Sequence, residues 1–114
     1  MKKPLPHFRA SVRIFKLEDG GPRDGFFSFP DSGIRSVPVE MEGVPGLNTV
    51  GFFHSPHAFI QDGQEFEADC CVVWEEGFYP AIDDGTAFRI WDGGFIASGN
   101  VLHVYLENWK VHVA

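Results

Sequence analysis

"FRIWDGGFIASGNVL", residues 88–102, reads as a strand, a two-glycine turn and a second strand. Gly93 and Gly94 tolerate the positive φ that a tight hairpin demands, which other residues adopt only with strain. Phe88 and Ile90 share one face of the first strand, with Arg89 and Trp91 on the other. In the returning strand Phe95, Ala97, Gly99 and Val101 hold one phase, whereas Leu102, Val104 and Leu106 hold the opposite one, alternating with His103 and Tyr105. A change of phase near Asn100 predicts a bulge or sharp bend, the device that closes small barrels.

Outward from the hairpin the chain keeps the same habit. "HFRASVRIF" puts Phe8, Ala10, Val12 and Ile14 on one face and Arg9, Ser11 and Arg13 on the other, a half-buried strand ended by "LEDGG". "QDGQEFEADCCVVWEEG" alternates as clearly, with Phe66, Ala68, Cys70, Val72 and Trp74 inward and Glu65, Glu67 and Asp69 outward. Three carboxylates on one strand face repel each other unless solvent or a basic neighbour screens them; the Arg9/Arg13 face is a candidate for that neighbour, although the sequence does not show the pairing. "IRSVPVEM" (34–41) is a further strand, which Pro38 assigns to an edge or a bulge. "LNTVGFF" (47–53) is a weaker one, and "KVHVA" (110–114) reads as a short closing strand. Residues 22–33 carry too many turn formers for a strand, so one or two of Phe26, Phe27 and Phe29 should plug a barrel end. No helix signal stands out. With 13 glycines and 8 prolines punctuating 114 residues, the chain reads as one all-β domain, 1–114, a six-stranded closed antiparallel barrel.

Composition narrows the function. The net charge of −7 is uneven: residues 1–40 carry seven Lys/Arg against five Asp/Glu, and residues 41–114 carry two against eleven. An acidic chain repels a phosphate backbone unless its cations cluster, so RNA starts at a disadvantage as a partner. "MKKPLPHF" meets Pro4 and Pro6 before any apolar run, which is unlike a signal peptide, and no stretch is long and apolar enough for a membrane span. Adjacent Cys70 and Cys71 point to opposite faces of a strand and make no disulfide framework, which fits a reducing cytoplasm.

Catalytic motifs are missing: there is no GxxxxGK[ST], GxSxG or HExxH. Neither catalytic nor cofactor-binding residues are assigned. His54 and His57 could share a metal with Cys70, Cys71, His103 or His112, but the segment is broken by Pro56, and ordinary surface histidines are the simpler reading. Asp83-Asp84, or Asp62, could supply carboxylates for acid–base work or calcium, but Asp-Gly pairs are first of all turn residues. Trp91, Tyr79 and Trp109 are expected outside the core, either as rim packing or as anchors for a protein partner.

The stretch "GQEFEADCCVVWEEGFYPAIDDGTAFRIWDGGFIASGNVL" (63–102) resembles the C-terminal barrel, domain III, of translation elongation factor Tu. The likeness rests on the acidic turn Asp83-Asp84-Gly85, on Phe88, Ile90, Gly93 and Gly94, and on Gly99, Val101 and Leu102; "FRASVRIFKLEDGG" (8–21) is similar to that domain's opening strand and turn. The family's Tyr-Arg-Pro stretch stands here as "FPDSGIRS" (29–36). The resemblance implies a six-stranded barrel whose hairpin tip, here Asp92 and Gly93, lies against the T stem of tRNA, and whose other faces contact protein domains. The expected function is a non-catalytic, stand-alone protein-binding module. Its candidate surface is Trp91, Asp92, Gly93 and Gly94 with the acidic face Glu65, Glu67 and Asp69. The alternatives are tRNA binding through the hairpin and Arg9, Arg13, Arg23 and Arg35, and a small metal protein or enzyme.

Overall fold

The computed structural model describes residues 4–111. Six strands, β1 (Phe8–Ile14), β3 (Arg35–Met41), β4 (Asn48–Phe53), β6 (Glu65–Val72), β7 (Ala87–Trp91) and β8 (Phe95–Val104), close into an antiparallel barrel in the order β1-β6-β4-β3-β7-β8. Two short strands missed in the sequence, β2 (Phe26–Ser28) and β5 (Phe59–Gln61), pair with each other outside the barrel. They escaped notice because three residues are too few to display a period.

Alternation produces the core. Phe8, Ala10, Val12 and Ile14 of β1 are fully buried, and Phe66, Ala68, Cys70 and Val72 of the neighbouring β6 line the interior beside them. β4, the weaker strand by pattern, has four buried residues in a row, Val50–Phe53, because both of its faces are covered. Phe27 plugs one end of the barrel, in contact with Phe66 and Phe29. Burying a phenyl ring of this size contributes about 2 kcal/mol. Phe26 instead stays outside, edge-on to Phe59.

The barrel closes where β8 returns to β1. The register runs Ala10↔Val101 and then Arg9↔His103, so Leu102 is the extra residue of a bulge. The break in phase therefore falls at Leu102, two residues beyond its expected place, and it turns Val104 rather than Leu102 against the core. Gly99 sits where a side chain would strike the Phe88 ring and the Ser11 carbonyl. Pro38 belongs to a barrel strand, but it is exposed on the outer face at a point where β3 has only one ladder partner, a local edge. It is tolerated because β7 pairs with β3 only from Val39 onward, which leaves no ladder on that side for Pro38 to interrupt.

Four further expectations need correction. A four-residue helix, α1 (Glu75–Phe78), follows β6, so the chain is not wholly without helix. β6 ends at Val72, and Trp74 leaves the sheet to lie over Gly77 instead of continuing the inward face. Trp109 is buried, not peripheral: its indole donates to the His7 carbonyl at 3.0 Å and packs against the His7 and Tyr79 rings, plugging the other barrel end. The expected closing strand at 110–114 lies partly outside the described residues. Lys110 and Val111 are not in a strand, and closure is completed by β8 on β1. No helix among the described residues is long and apolar enough to cross a membrane.

Candidate functional site

The outer face of β1 and β6 is built by register. Arg9 stands opposite Asp69, Ser11 opposite Glu67 and Arg13 opposite Glu65, so the basic and acidic faces expected from the sequence are neighbours. Arg9 donates from NH1 to Asp69 Oδ1 at 3.2 Å and from Nε to Glu67 Oε1 at 3.4 Å. Arg13 reaches Glu65 only at 3.9 Å, with both side chains largely exposed. Asp69 is the centre of this face. Its Oδ2 accepts from His54 Nδ1 at 2.7 Å, its Oδ1 also accepts from the Tyr105 hydroxyl at 3.1 Å, and its side chain is only 13% exposed. Burial would raise the Asp69 carboxyl. Hydrogen bonds from His54, Arg9 and Tyr105, together with the Arg9 charge, outweigh that and hold it below the ordinary carboxylate range. His54 reaches this position with φ of +55°, a conformation that a non-glycine residue holds only under constraint. Neither the sequence pattern nor the spacing gave a sign that His54 and Tyr105 belong with Asp69, because both come from irregular chain beyond a strand end.

The hairpin tip is a second locale, at the Phe27 end of the barrel. Asp92 N–H donates to the Gly94 carbonyl at 2.8 Å, and Gly93 takes φ of +73°. Trp91 is half-buried edge-on against Phe95, and Arg89 lies 3.6 Å over the Phe95 ring. A cavity of about 470 Å³ between the tip and the 20–28 segment is lined by Arg23, Arg35, Asp92, Gly93 and Gly94. Arg35 is held there by Asp92 at 3.7 Å, by the Ser28 carbonyl at 3.0 Å and by the Phe27 ring. The seven residues expected at the site thus divide between two places: Trp91, Asp92, Gly93 and Gly94 at the tip, and Glu65, Glu67 and Asp69 on the β1–β6 face.

The four arginines of the RNA alternative divide in the same way, Arg9 and Arg13 on the face, Arg23 and Arg35 at the tip. Arg9, Arg13, Arg35 and also Arg89, which grips Glu40 at 2.6 Å, are each ion-paired to a carboxylate of this chain. Arg23 makes no ion pair among the described residues.

The metal-ligating types are scattered. Cys70 is in the core, Cys71 is half-buried beside Gly51, His54 is committed to Asp69, and His112 lies outside the described residues. Among the described residues no group of three or more His, Cys, Asp or Glu side chains is placed to hold a metal ion.

A third locale appears at the Trp109 end. Asp83 and Asp84 sit on the connection into β7, beside Ile82, His103, Val104 and Leu106, around a groove of about 380 Å³. Asp83 N–H donates to Thr86 Oγ1 at 2.9 Å and Thr86 N–H to the Asp83 carbonyl at 3.1 Å, which fixes the turn without using either carboxylate. The sequence marked Asp83-Asp84 as a turn; Leu106 stands exposed beside it because β8 ends at Val104 and the chain leaves the sheet in a 3-10 turn at Leu106–Asn108.

Compared with known proteins, the chain matches no protein-family model and no curated protein sequence.

Proposed function

We propose that this chain is a non-catalytic protein-binding module, a barrel of the kind that forms the C-terminal domain of elongation factor Tu. The observation that carries the reading is the division of charge. Four arginines are spent on carboxylates of the same chain, while Asp83, Asp84, Glu18, Asp19 and Glu107 make no ion pair among the described residues. With four of its five arginines already held by carboxylates, the surface has few free cations with which to displace counterions from a phosphate backbone, and RNA binding is disfavoured for that reason. What it offers instead is negative charge beside an exposed apolar side chain, Asp83 and Asp84 next to Leu106, which is 63% exposed. Apolar anchors ringed by charge are how a small domain recognises another protein.

The test is affinity capture from the native host, with each recovered protein purified and its affinity measured against that of tRNA across 50–200 mM salt. A protein that binds the purified chain directly supports the reading. Binding of tRNA alone, weakening steeply with log[salt], overturns it.

A further inference from the structure

We infer that the groove between the 82–84 turn and the end of β8 docks an extended, basic segment of a partner protein. This deepens the protein-binding reading and rests on it.

Three features of different physical kinds meet at this one place. The first is an unpaired strand edge. β7 accompanies β8 only as far as Ala87↔Asn100, and the ladder is carried one step further by Gly85 N–H to the Val101 carbonyl at 2.7 Å and Val101 N–H to the Thr86 carbonyl at 2.9 Å. From Leu102 to Val104, β8 is held by β1 alone, through Arg9↔His103 and Phe8↔Val104, and no described strand lies on its other side. An edge of this kind is a template for an added extended chain.

The second feature is an apolar floor. Ile82 and Val104 form it and exposed Leu106 walls it, giving a space of about 380 Å³, which suits one or two side chains rather than a helix. The third is the rim, where Asp83 and Asp84 are exposed with no ion pair among the described residues. Adjacent carboxylates repel, and a partner cation placed between them removes that repulsion. The edge selects an extended main chain, the floor an aliphatic side chain, and the rim lysine or arginine beside it. A helix satisfies only the last two, and a nucleic acid none.

The test uses the full chain labelled with ¹⁵N and titrated with an acetylated, amidated nine-residue peptide alternating lysine with valine. Saturable shifts are expected at the amides of Asp83, Asp84 and Leu102–Leu106. The double substitution Asp83→Asn/Asp84→Asn should weaken binding at least tenfold, and Leu106→Ser at least threefold. Glu18→Gln/Asp19→Asn, which removes the same charge from the turn after β1, should change it by less than twofold. Equal weakening by the two charge pairs, shifts that do not saturate, or shifts centred on residues 91–95 overturn the groove. Those results leave the wider protein-binding reading standing, since that reading fails only on the capture experiment.

Discussion

His54 Nδ1 lies 2.7 Å from Asp69 Oδ2, although one residue follows the end of β4 and the other is in mid-β6. A carboxylate only accepts, so the imidazole carries its proton on Nδ1 and leaves Nε2 to the outside. With Arg9 and Tyr105 on the other oxygen, Asp69 ties together β1, β6 and the segments that follow β4 and β8.

Asp69→Asn is therefore expected to lower the unfolding free energy by about 2 kcal/mol, since it removes the charge that Arg9, His54 and Tyr105 share and replaces one acceptor oxygen by a donor among three donors. Urea denaturation measures this. Glu65→Gln, at an exposed and distant pair, should change stability by less than about 0.5 kcal/mol. Equal effects would mean that Asp69 is no more than a surface charge.

Stability should fall on acidification through two carboxylates. At Glu75, burial would raise the carboxyl, but the N–H groups of Val111 and Lys110 and the His7 ring outweigh it and hold it low, as happens at Asp69. A folded-state pKa below the unfolded value gives stabilisation that is complete at neutral pH. It is lost as pH drops below about 4, the unfolded range, and through the folded values. Urea midpoints from pH 7 to pH 3 should decline, and the decline should be shallower in Glu75→Gln.

Glu75→Gln should also loosen the segment after β8. Glu75 Oε1 accepts from the N–H groups of Lys110 and Val111 at 2.7 and 3.1 Å, and Oε2 faces His7 Nε2 at 3.1 Å. His7 Nδ1 accepts from Val72 N–H at 2.9 Å, which leaves the ring proton on Nε2 for Glu75. Hydrogen exchange at Lys110 and Val111 is expected to rise at least fivefold, with Val12 and Ala68 unchanged.

Gly99→Ala should destabilise by about 2 kcal/mol or more, as overpacking does, because a Cβ there would come within 2.4 Å of Phe88 Cζ and 2.6 Å of the Ser11 carbonyl oxygen. Gly94→Ala meets nothing within 4 Å and should be near neutral. Thermal melts of the two variants check the contrast.

Both thiols should be sluggish toward a disulfide reagent at neutral pH. Burial, followed by the charges of Cys71 and Asp69, pushes Cys70 well up, and burial raises Cys71 despite backbone hydrogen bonds. Native protein should react at least tenfold more slowly than protein in denaturant, where both thiols are accessible.

Much of the barrel was legible in the sequence because its information is local. A strand that is wet on one side and packed on the other must alternate, as Phe8 to Ile14 and Phe66 to Val72 do, and glycine pairs have few uses other than turns. The elements that resisted reading lack that local cause. β2 and β5 are too short to show a period, and Trp109 is inside only because the chain after β8 folds back over His7.

By itself the sequence determined the all-β class, the inward faces of β1 and β6, the basic outer face of one and the acidic outer face of the other, and the double-glycine hairpin; that those two faces are neighbours came from the β1–β6 register. Tertiary structure alone decided that His54 and Tyr105 converge on Asp69, that the expected site residues divide between the hairpin tip and the β1–β6 face, and that β8 leaves an open edge beside Asp83, Asp84 and Leu106. The physical reason is range. Alternation and turn chemistry act between neighbours along the chain, whereas a network or a groove is formed by residues whose distance is set by how the whole cylinder closes.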